Sequence, residues 1–219
     1  MITYTAIHNG LPAIYSKASR GTGEARLMSG ASAGELDPDW SRDGKFLIYV
    51  ARSSQQTSKL FYREMRQHGA SDGPTAFAKS TFNQGAPRFS SDGRRIAYVS
   101  DESGANEVYI RDFPSGANPR RISAHGGTAP RWRRDGNEIF YVETPSLMAV
   151  SVTARPIFST GAPKPLFQKP SLRSLVPEFD VSADGTRFVI LDRPAVQEPL
   201  AIHVVHNWFE EFHGQQKPR

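Results

Sequence analysis

Residues 38–50 read Pro-Asp-Trp-Ser-Arg-Asp-Gly-Lys-Phe-Leu-Ile-Tyr-Val, and the chain repeats this stretch along its length. Close copies occupy residues 87–99 and 130–142, and a looser copy occupies residues 179–191. The aspartates of the four copies stand at positions 43, 92, 135 and 184, so they are spaced by 49, 43 and 49 residues. Several short strands in a period of roughly 40–50 residues are typical of propeller blades.

Each copy predicts a β-hairpin, because Asp-Gly lies between two apolar or aromatic runs. Glycine accepts a positive φ without steric cost, and aspartate can hydrogen-bond its own backbone across the turn. We expect the proline at the start of the leading strand, where its missing N–H disturbs the ladder least. Residues 96 and 98 of one trailing strand share a face. We therefore predict an all-β fold, a β-propeller of four-stranded antiparallel blades.

The three close copies place a tyrosine six residues after the aspartate, and Tyr4 continues this spacing at the N-terminus. We therefore expect the chain to begin inside a blade whose first strand is missing, as an incomplete propeller of about four to five blades. The prediction is one array over residues 1–212, followed by a tail at 213–219. Its parts are a partial blade at 1–34, blades at 35–80, 85–124 and 128–169, and a last partial blade at 176–207.

Composition narrows the class of protein. The chain has 219 residues, 38% of them hydrophobic and 22% charged, which is ordinary for a folded domain. It has no cysteine, so it has neither a disulfide framework nor a thiolate zinc site. No run of 18 apolar residues occurs, so we predict no membrane span. The first residues lack the pattern of a signal peptide, and composition leaves the compartment open.

The repeated Pro-x-Trp-Ser-x-Asp-Gly-Lys, followed by an apolar strand ending in Tyr-Val, resembles the blades of TolB-like (WD-repeat-like) propellers. Residues 100–109, Ser-Asp-Glu-Ser-Gly-Ala-Asn-Glu-Val-Tyr, are similar to the connection between the second and third strands of those blades. The ending, residues 179–209, resembles the C-terminal propellers of bacterial serine/threonine kinases and transcriptional regulators. The resemblance implies a six-bladed parent ring and a sensing or protein-contacting role.

Basic residues gather at the hairpin turns, which all lie on one face of a propeller. The predicted basic face consists of Arg42, Lys45, Arg94, Arg95, Arg133, Arg134 and Arg187. Such a face could receive an acidic or phosphorylated protein, a phosphate-rich polymer or a membrane surface. The alternative, which we favour, is a solvated rim that keeps the protein soluble, since each turn also carries its own aspartate and exposed basic patches are common.

The second residue of each leading strand forms a second candidate site. This predicted channel column consists of Asp39, Arg88, Arg131 and Asp180. Leading strands surround the central channel of a propeller, so the column could present alternating charge to a ligand. Ion pairing between neighbouring blades is the alternative. A separate aromatic column, Trp40, Phe89 and Trp132, is expected to pack between blades.

Two further patterns, a serine-hydrolase-like motif and a set of histidines, are weak indications of a site. Residues 30–34, Gly-Ala-Ser-Ala-Gly, match the serine-hydrolase pattern, which needs a strand before it and a helix after it. Here Pro38 and a new strand follow at once, which indicates a loop. His203 and His206 would point to opposite faces of a strand. His125 has no partner at ligand spacing, so we predict no metal site, no cofactor and no catalytic residue.

Three functions stay open at this point. We favour a non-catalytic binding or sensing module, a fragment of a larger bacterial protein that contacts a protein partner and recognises no specific nucleic acid. Its open blade edges would favour self-association. A propeller-based hydrolase or lyase would need acid and base groups converging on the channel, but Asp39 and Asp180 stand at repeat positions. The third function is the propeller domain of a prolyl-peptidase-like enzyme.

Overall fold

The computed structural model describes residues 1–28, 34–53, 57–66, 69–70, 73–154, 156–173, 179–192 and 201–205. In these ranges the chain is all-β, with one short 3-10 helix, Pro170–Arg173, and no α-helix. The predicted fold class is confirmed. The chain divides into two compact units, Met1–Arg121 and Ile122–Arg219. The single array predicted to join them, with its blade limits, stays a prediction.

The described residues of the first unit form three antiparallel sheets. The first sheet contains, in order, β1 (Ile2–His8), β2 (Leu11–Lys17) and β3 (Arg26–Leu27). The second contains β4 (Glu35–Trp40), β5 (Phe46–Arg52), β6 (Ser58–Arg66) and β7 (Gly69–Ala70), with β8 (Thr75–Ala76) also paired to β6. The third contains β9 (Gln84–Phe89), β10 (Arg95–Ser100), β11 (Glu107–Asp112) and β12 (Arg120–Arg121).

In the second unit, the part of the chain that the structure describes forms two antiparallel sheets. The fourth sheet contains β13 (Thr128–Trp132), β14 (Glu138–Glu143), β15 (Ser146–Thr153) and β16 (Ser159–Thr160), with β17 (Lys164–Gln168) also paired to β15. The fifth contains β18 (Phe179–Val181), β19 (Phe188–Asp192) and β20 (Ala201–Val205). No helix in the described ranges has the length and apolar character needed to cross a bilayer.

Each repeated Asp-Gly lies in a turn between two paired strands, as predicted. The turn glycines Gly44, Gly93, Gly136 and Gly185 have φ values of 71°, 68°, 78° and 76°. A residue with a Cβ is strained in this left-handed region, which explains why glycine recurs at this position of every copy.

The proline of each close copy lies inside the leading strand and not at its start, which corrects the expectation above. In β4, β9 and β13 the residue before the proline has a positive φ: 50° at Asp37, 47° at Ala86 and 50° at Ala129. The strand pairing shifts register at the same place in all three sheets. A β-bulge leaves one residue out of the ladder, so a proline without an N–H is tolerated there.

Trailing strands bury alternate residues against different neighbours. In β5, Leu47 and Tyr49 pack against Ile14 of the first sheet. The alternate residues Ile48 and Val50 belong instead to a cluster that includes Ile96 of the third sheet. All six side chains are buried. Burial of one such side chain stabilises the fold by about 1.5–3 kcal/mol, so stacking of sheets supplies most of the core.

The second unit repeats this arrangement between the fourth and fifth sheets. Phe140 and Val142 of β14 share one apolar cluster with Phe188 and Ile190 of β19. The Phe140 and Phe188 rings meet edge to face, with centroids 5.0 Å apart. The same side of the trailing strand faces the preceding sheet here as in the first unit.

Candidate functional site

The hairpin turns are built by one repeated hydrogen-bond pattern. In the second sheet, Ser41 Oγ donates to Asp43 Oδ1 at 2.7 Å, and the Lys45 amide donates to the same oxygen at 3.1 Å. The Phe46 amide donates back to Ser41 Oγ at 2.9 Å. Ser90 and Asp92 make the same three bonds in the third sheet, at 2.7, 3.1 and 2.9 Å. The serine and aspartate side chains therefore already make hydrogen bonds within their own turn.

The turn of the fourth sheet replaces the serine by Arg133, which changes the pattern. Arg133 donates to both carboxylate oxygens of Asp135, at 2.8 and 2.6 Å, and to Glu138 Oε2 at 3.1 Å. Its aliphatic stem also lies against the neighbouring turn, because a Cβ on Gly185 would come within 2.5 Å of Arg133 Cδ. Arg133 therefore acts as a structural part of the turn.

The turn carboxylates are held in their charged form. A hydrogen bond from Ser182 and a backbone bond from Thr186 lower the pKa of Asp184 to about 2. The Arg133 hydrogen bond lowers the pKa of Asp135 to about 2. Burial would raise the pKa of Asp92, but the hydrogen bonds from Ser90 and the Arg94 amide outweigh it and the net shift is downward. These carboxylates are anions at neutral pH, so none is poised to act as a proton donor there.

The structure divides the predicted basic face into paired and exposed cations. Arg95 lies 3.4 Å from Asp112 Oδ1 and 3.9 Å from Asp92 Oδ2. Lys45 lies 3.6 Å from its own turn aspartate. The exposed side chains that make no ion pair with a described residue are those of Arg42, Arg94, Arg134 and Arg187. Among the residues of the predicted basic face, these four lie outside the ion pairs of the described part of the chain, although Arg94 and Arg187 still attract the aspartates of their own turns.

A cavity of about 410 Å³ opens between the turns of the second and third sheets. Its lining comprises Ser41, Arg42, Asp43, Phe46, Ser91, Asp92, Gly93, Phe113 and Pro114. Phe46 and Phe113 meet edge to face at 5.0 Å and give it an aromatic side. A Cβ on Gly93 would meet nothing within 4 Å, unlike the close contact at Gly185. The space between these two turns is therefore open.

Three of the four residues of the predicted channel column, Asp39, Arg131 and Asp180, contact an adjacent sheet, and Arg88 donates to the carbonyl of its neighbour Pro87 at 2.6 Å. Asp39 of β4 accepts a hydrogen bond from the Phe89 amide of β9 at 2.7 Å. Arg131 of β13 lies 4.0 Å from Asp180 Oδ1 of β18 and 5.5 Å from the centre of the Phe179 ring. The contact between Arg131 and Asp180 is an ion pair between neighbouring sheets, which is the alternative to ligand binding that the sequence also suggested. Binding of a ligand by Asp39, Arg88, Arg131 and Asp180 stays a prediction.

The aromatic column packs between sheets where its contacts are resolved, as expected. Phe89 is buried in the apolar cluster that includes Ile48 and Leu60 of the second sheet. Trp40 packs with the cluster formed by the first and second sheets, and its Nε1 donates to Thr3 Oγ1 at 2.7 Å.

The remaining sequence patterns lie mostly outside the described residues. Of the hydrolase-like stretch only Gly34 is described, and a Cβ there would lie 3.1 Å from Pro12 Cδ. His206 is outside the described ranges, and only the backbone of His203 is described. His125 is 84% exposed, with Nδ1 3.8 Å from Glu143 Oε1. In the described part of the chain no three His, Asp or Glu side chains are grouped to hold a metal ion.

Sequence reasoning missed a buried polar network in the third sheet. Arg111 Nε donates to Tyr98 Oη at 2.6 Å, and the same guanidinium reaches Gly116 O at 3.0 Å and Glu102 Oε2 at 3.4 Å. Burial raises the pKa of Tyr98 to about 12, although the Arg111 hydrogen bond opposes this. The only sequence signal was the repeated tyrosine, which does not indicate its partner.

The chain resembles known proteins chiefly in its fold. No protein-family model matches it. It is 31% identical over 111 residues to an uncharacterized peptidase, YuxL of Bacillus subtilis, over 47% of this chain and 16% of that protein. TolB of Acinetobacter baumannii superposes with a TM-score of 0.71 at 18% identity, over 94% of this chain and 48% of TolB. An oligogalacturonate lyase of Vibrio parahaemolyticus superposes with a TM-score of 0.60 at 11% identity, over 94% and 60%.

These comparisons, with the repeated sheets, define the class: the chain has a TolB-like β-propeller fold. It spans less than two thirds of the length of each of these three proteins. The neighbours include a peptidase and a lyase as well as TolB, so the fold does not by itself choose between binding and catalysis.

Proposed function

We propose that this chain is a non-catalytic binding module that receives an acidic protein segment at the cavity between the second and third hairpin turns. The observation that carries the proposal is the open cavity with its aromatic side and the exposed Arg42 in its lining. Arg94 is exposed beside the lining residue Gly93. Apolar anchors inserted into pockets supply most of the affinity of protein contacts, while charges around them steer the partner.

The charge balance of the two turns supports an anionic partner. Residues 41–45 contain two cations and one aspartate, and residues 90–95 contain two cations and one aspartate. Each aspartate is committed to its own turn by serine and backbone hydrogen bonds. The net positive charge therefore sits on the exposed arginines, and the aromatic rings can receive an apolar side chain of the partner.

Peptide binding tests this proposal directly. A fluorescein-labelled peptide rich in Asp and Glu with one central Phe is titrated with the protein, and anisotropy is recorded at physiological salt. We expect the double variant Arg42→Glu/Arg94→Glu to bind at least about tenfold more weakly, which corresponds to about 1.4 kcal/mol.

The matched control is Arg20→Glu/Lys79→Glu, which makes the same charge change at two exposed positions of the same unit. This control should bind the acidic peptide like the parent protein. If both variants lost the same affinity for the acidic peptide, the binding would be general charge attraction, and this would contradict the proposal. Equal affinity of the parent for a Lys-rich peptide of the same length would also contradict it.

A second candidate function is the propeller domain of a peptidase-type enzyme, and the 31% identity to YuxL over 111 residues supports it. Here the chain would shape access to a hydrolase domain carried elsewhere in a longer protein. Sequencing of the flanking gene decides between the candidates. A hydrolase domain in the same reading frame would favour the peptidase, whereas a kinase or DNA-binding domain would favour the sensing module.

A further inference from the structure

The first sheet has an uncovered apolar face. Its β1 residues Ile2 and Tyr4 are 53% and 36% exposed, and Leu27 of β3 is 38% exposed. Strand register places Tyr4, Tyr15 and Leu27 side by side on one face of the sheet. We call Ile2, Tyr4 and Leu27 the open face of the first sheet.

Equivalent residues in the next two sheets are fully covered. Tyr4 corresponds in the repeat to Tyr49 and Tyr98, and both of those side chains are 0% exposed. Tyr49 is covered by Ile14 of the first sheet, and Tyr98 shares a cluster with Ile48 of the second sheet. The side of a sheet that carries the repeated tyrosine is therefore built to receive the opposite side of another sheet.

On the fifth sheet, the side that is equivalent to the Ile48 side of the second sheet is exposed. In β19, Phe188 and Ile190 are 0% and 2% exposed within the core of the second unit, while Val189 between them is 42% exposed. Val189 stands five residues after its turn aspartate, as Ile48 does, and Ile48 is 0% exposed against the third sheet. The interface between successive sheets joins a tyrosine side to an Ile48-like side. The tyrosine side of the first sheet and the Ile48-like side of the fifth sheet are both exposed.

We propose that two copies of this chain associate head to tail, with the open face of the first sheet of one copy packed on the Val189 side of the fifth sheet of the other. The contact is heterologous, because two different surfaces meet. It repeats the packing that already joins the sheets inside each unit. The occupant is a second copy because this chain carries both halves of the interface.

Light scattering after size exclusion tests the proposal on the full chain with any purification tag at its C-terminus. The parent protein is expected to reach twice the 24.2 kDa of one chain, or more, as concentration rises from about 1 to 100 µM. Tyr4→Glu and Val189→Glu should each stay at the monomer mass, because an unpaired carboxylate is costly at an apolar contact. Both positions are exposed in the single chain, and circular dichroism checks that both variants remain folded.

Mixing the two variants is the decisive step. A heterologous contact predicts that an equimolar mixture of Tyr4→Glu and Val189→Glu recovers a dimer, because each variant keeps the half that the other lacks. The matched controls Ile7→Glu and Ile157→Glu, at positions 70% and 78% exposed, should associate like the parent. A parent that stays monomeric to 100 µM, or a mixture that gives no dimer, would overturn the proposal.

Discussion

Hydrogen bonds from serine, from Arg133 and from backbone amides keep the turn aspartates charged, and the stability of the fold therefore depends on pH in the acid range. The pKa values of Asp135 and Asp184 are about 2, and those of Asp43 and Asp92 are also lowered. An aspartate in an unfolded chain has a pKa of about 3.9. A carboxyl whose pKa is lower in the folded state stabilises the fold above the unfolded pKa, and this contribution disappears as the pH falls through the folded pKa. We therefore predict that the free energy of unfolding falls between about pH 4 and pH 2, measured by urea unfolding at a series of pH values.

Ser182→Ala isolates one of these groups, because the Ser182 hydroxyl is the largest cause of the low pKa of Asp184. A carboxylate titration by NMR should place the Asp184 midpoint above about 2 and closer to the ordinary value in this variant. The midpoint of Asp43, in a different turn, serves as the internal control. An unchanged Asp184 midpoint would show that the serine does not hold the turn.

Tyr98 provides a second test at the residue scale. Tyr98→Phe removes the hydroxyl that accepts the 2.6 Å bond from Arg111 Nε and leaves the rest of the ring in place. We expect the free energy of unfolding to drop by about 1 kcal/mol. Tyr109→Phe changes the adjacent ring without touching the Arg111 bond and serves as the matched control. If both variants unfold at the same urea concentration as the parent, the network adds nothing to stability.

For single residues, the sequence predicts those structural features that depend only on residues close by in the chain. Asp-Gly specifies its own turn, since the hydrogen bonds and the positive φ arise within five residues. The partner of Tyr98 lies 13 residues away on the next strand, and Arg95 pairs with Asp112 17 residues away. Such pairs depend on register and rotamer, so the sequence alone predicts a basic face that includes Arg95 and Arg133 and does not reveal their ion pairs.

Among the structural elements, the bulged leading strand departs most from the sequence-based expectation. Asp37, Ala86 and Ala129 adopt φ values near 50° although none is glycine. Ala-Pro and Asp-Pro give no strong left-handed signal, so the bulge could not be predicted from propensity. The available signal was the proline itself, which a strand tolerates at a bulge.

Substitution at Ala86 tests the bulge. A β-branched residue is poorly tolerated at positive φ, so Ala86→Val should lower the free energy of unfolding by about 1–3 kcal/mol. Ala86→Gly adopts the same φ without a Cβ and should lie close to the parent. Both variants are compared by thermal unfolding. A valine variant as stable as the glycine variant would contradict the positive φ.

For the whole molecule, the sequence predicts the all-β class because the Asp-Gly turn and its flanking apolar strands recur four times at a regular spacing. The face that binds a partner was less predictable, since it depends on which arginines remain unshared after folding. Arg42 and Arg94 are exposed beside or in the lining of an open cavity, whereas Arg133 fills the corresponding space against Gly185. Arginines at different positions of the repeat therefore play different roles.

Successive hairpins stack against one another, and one backbone amide reports this stacking directly. The Phe89 N–H of β9 donates to the Asp39 carboxylate of the neighbouring sheet, whereas the Ser90 N–H donates to Arg95 O within its own hairpin. Hydrogen exchange by NMR should show the Phe89 amide protected in the parent and exchanging at least about tenfold faster in Asp39→Ala, with Ser90 unchanged. A Phe89 amide that exchanges at the same rate in both proteins would contradict the stacked sheets.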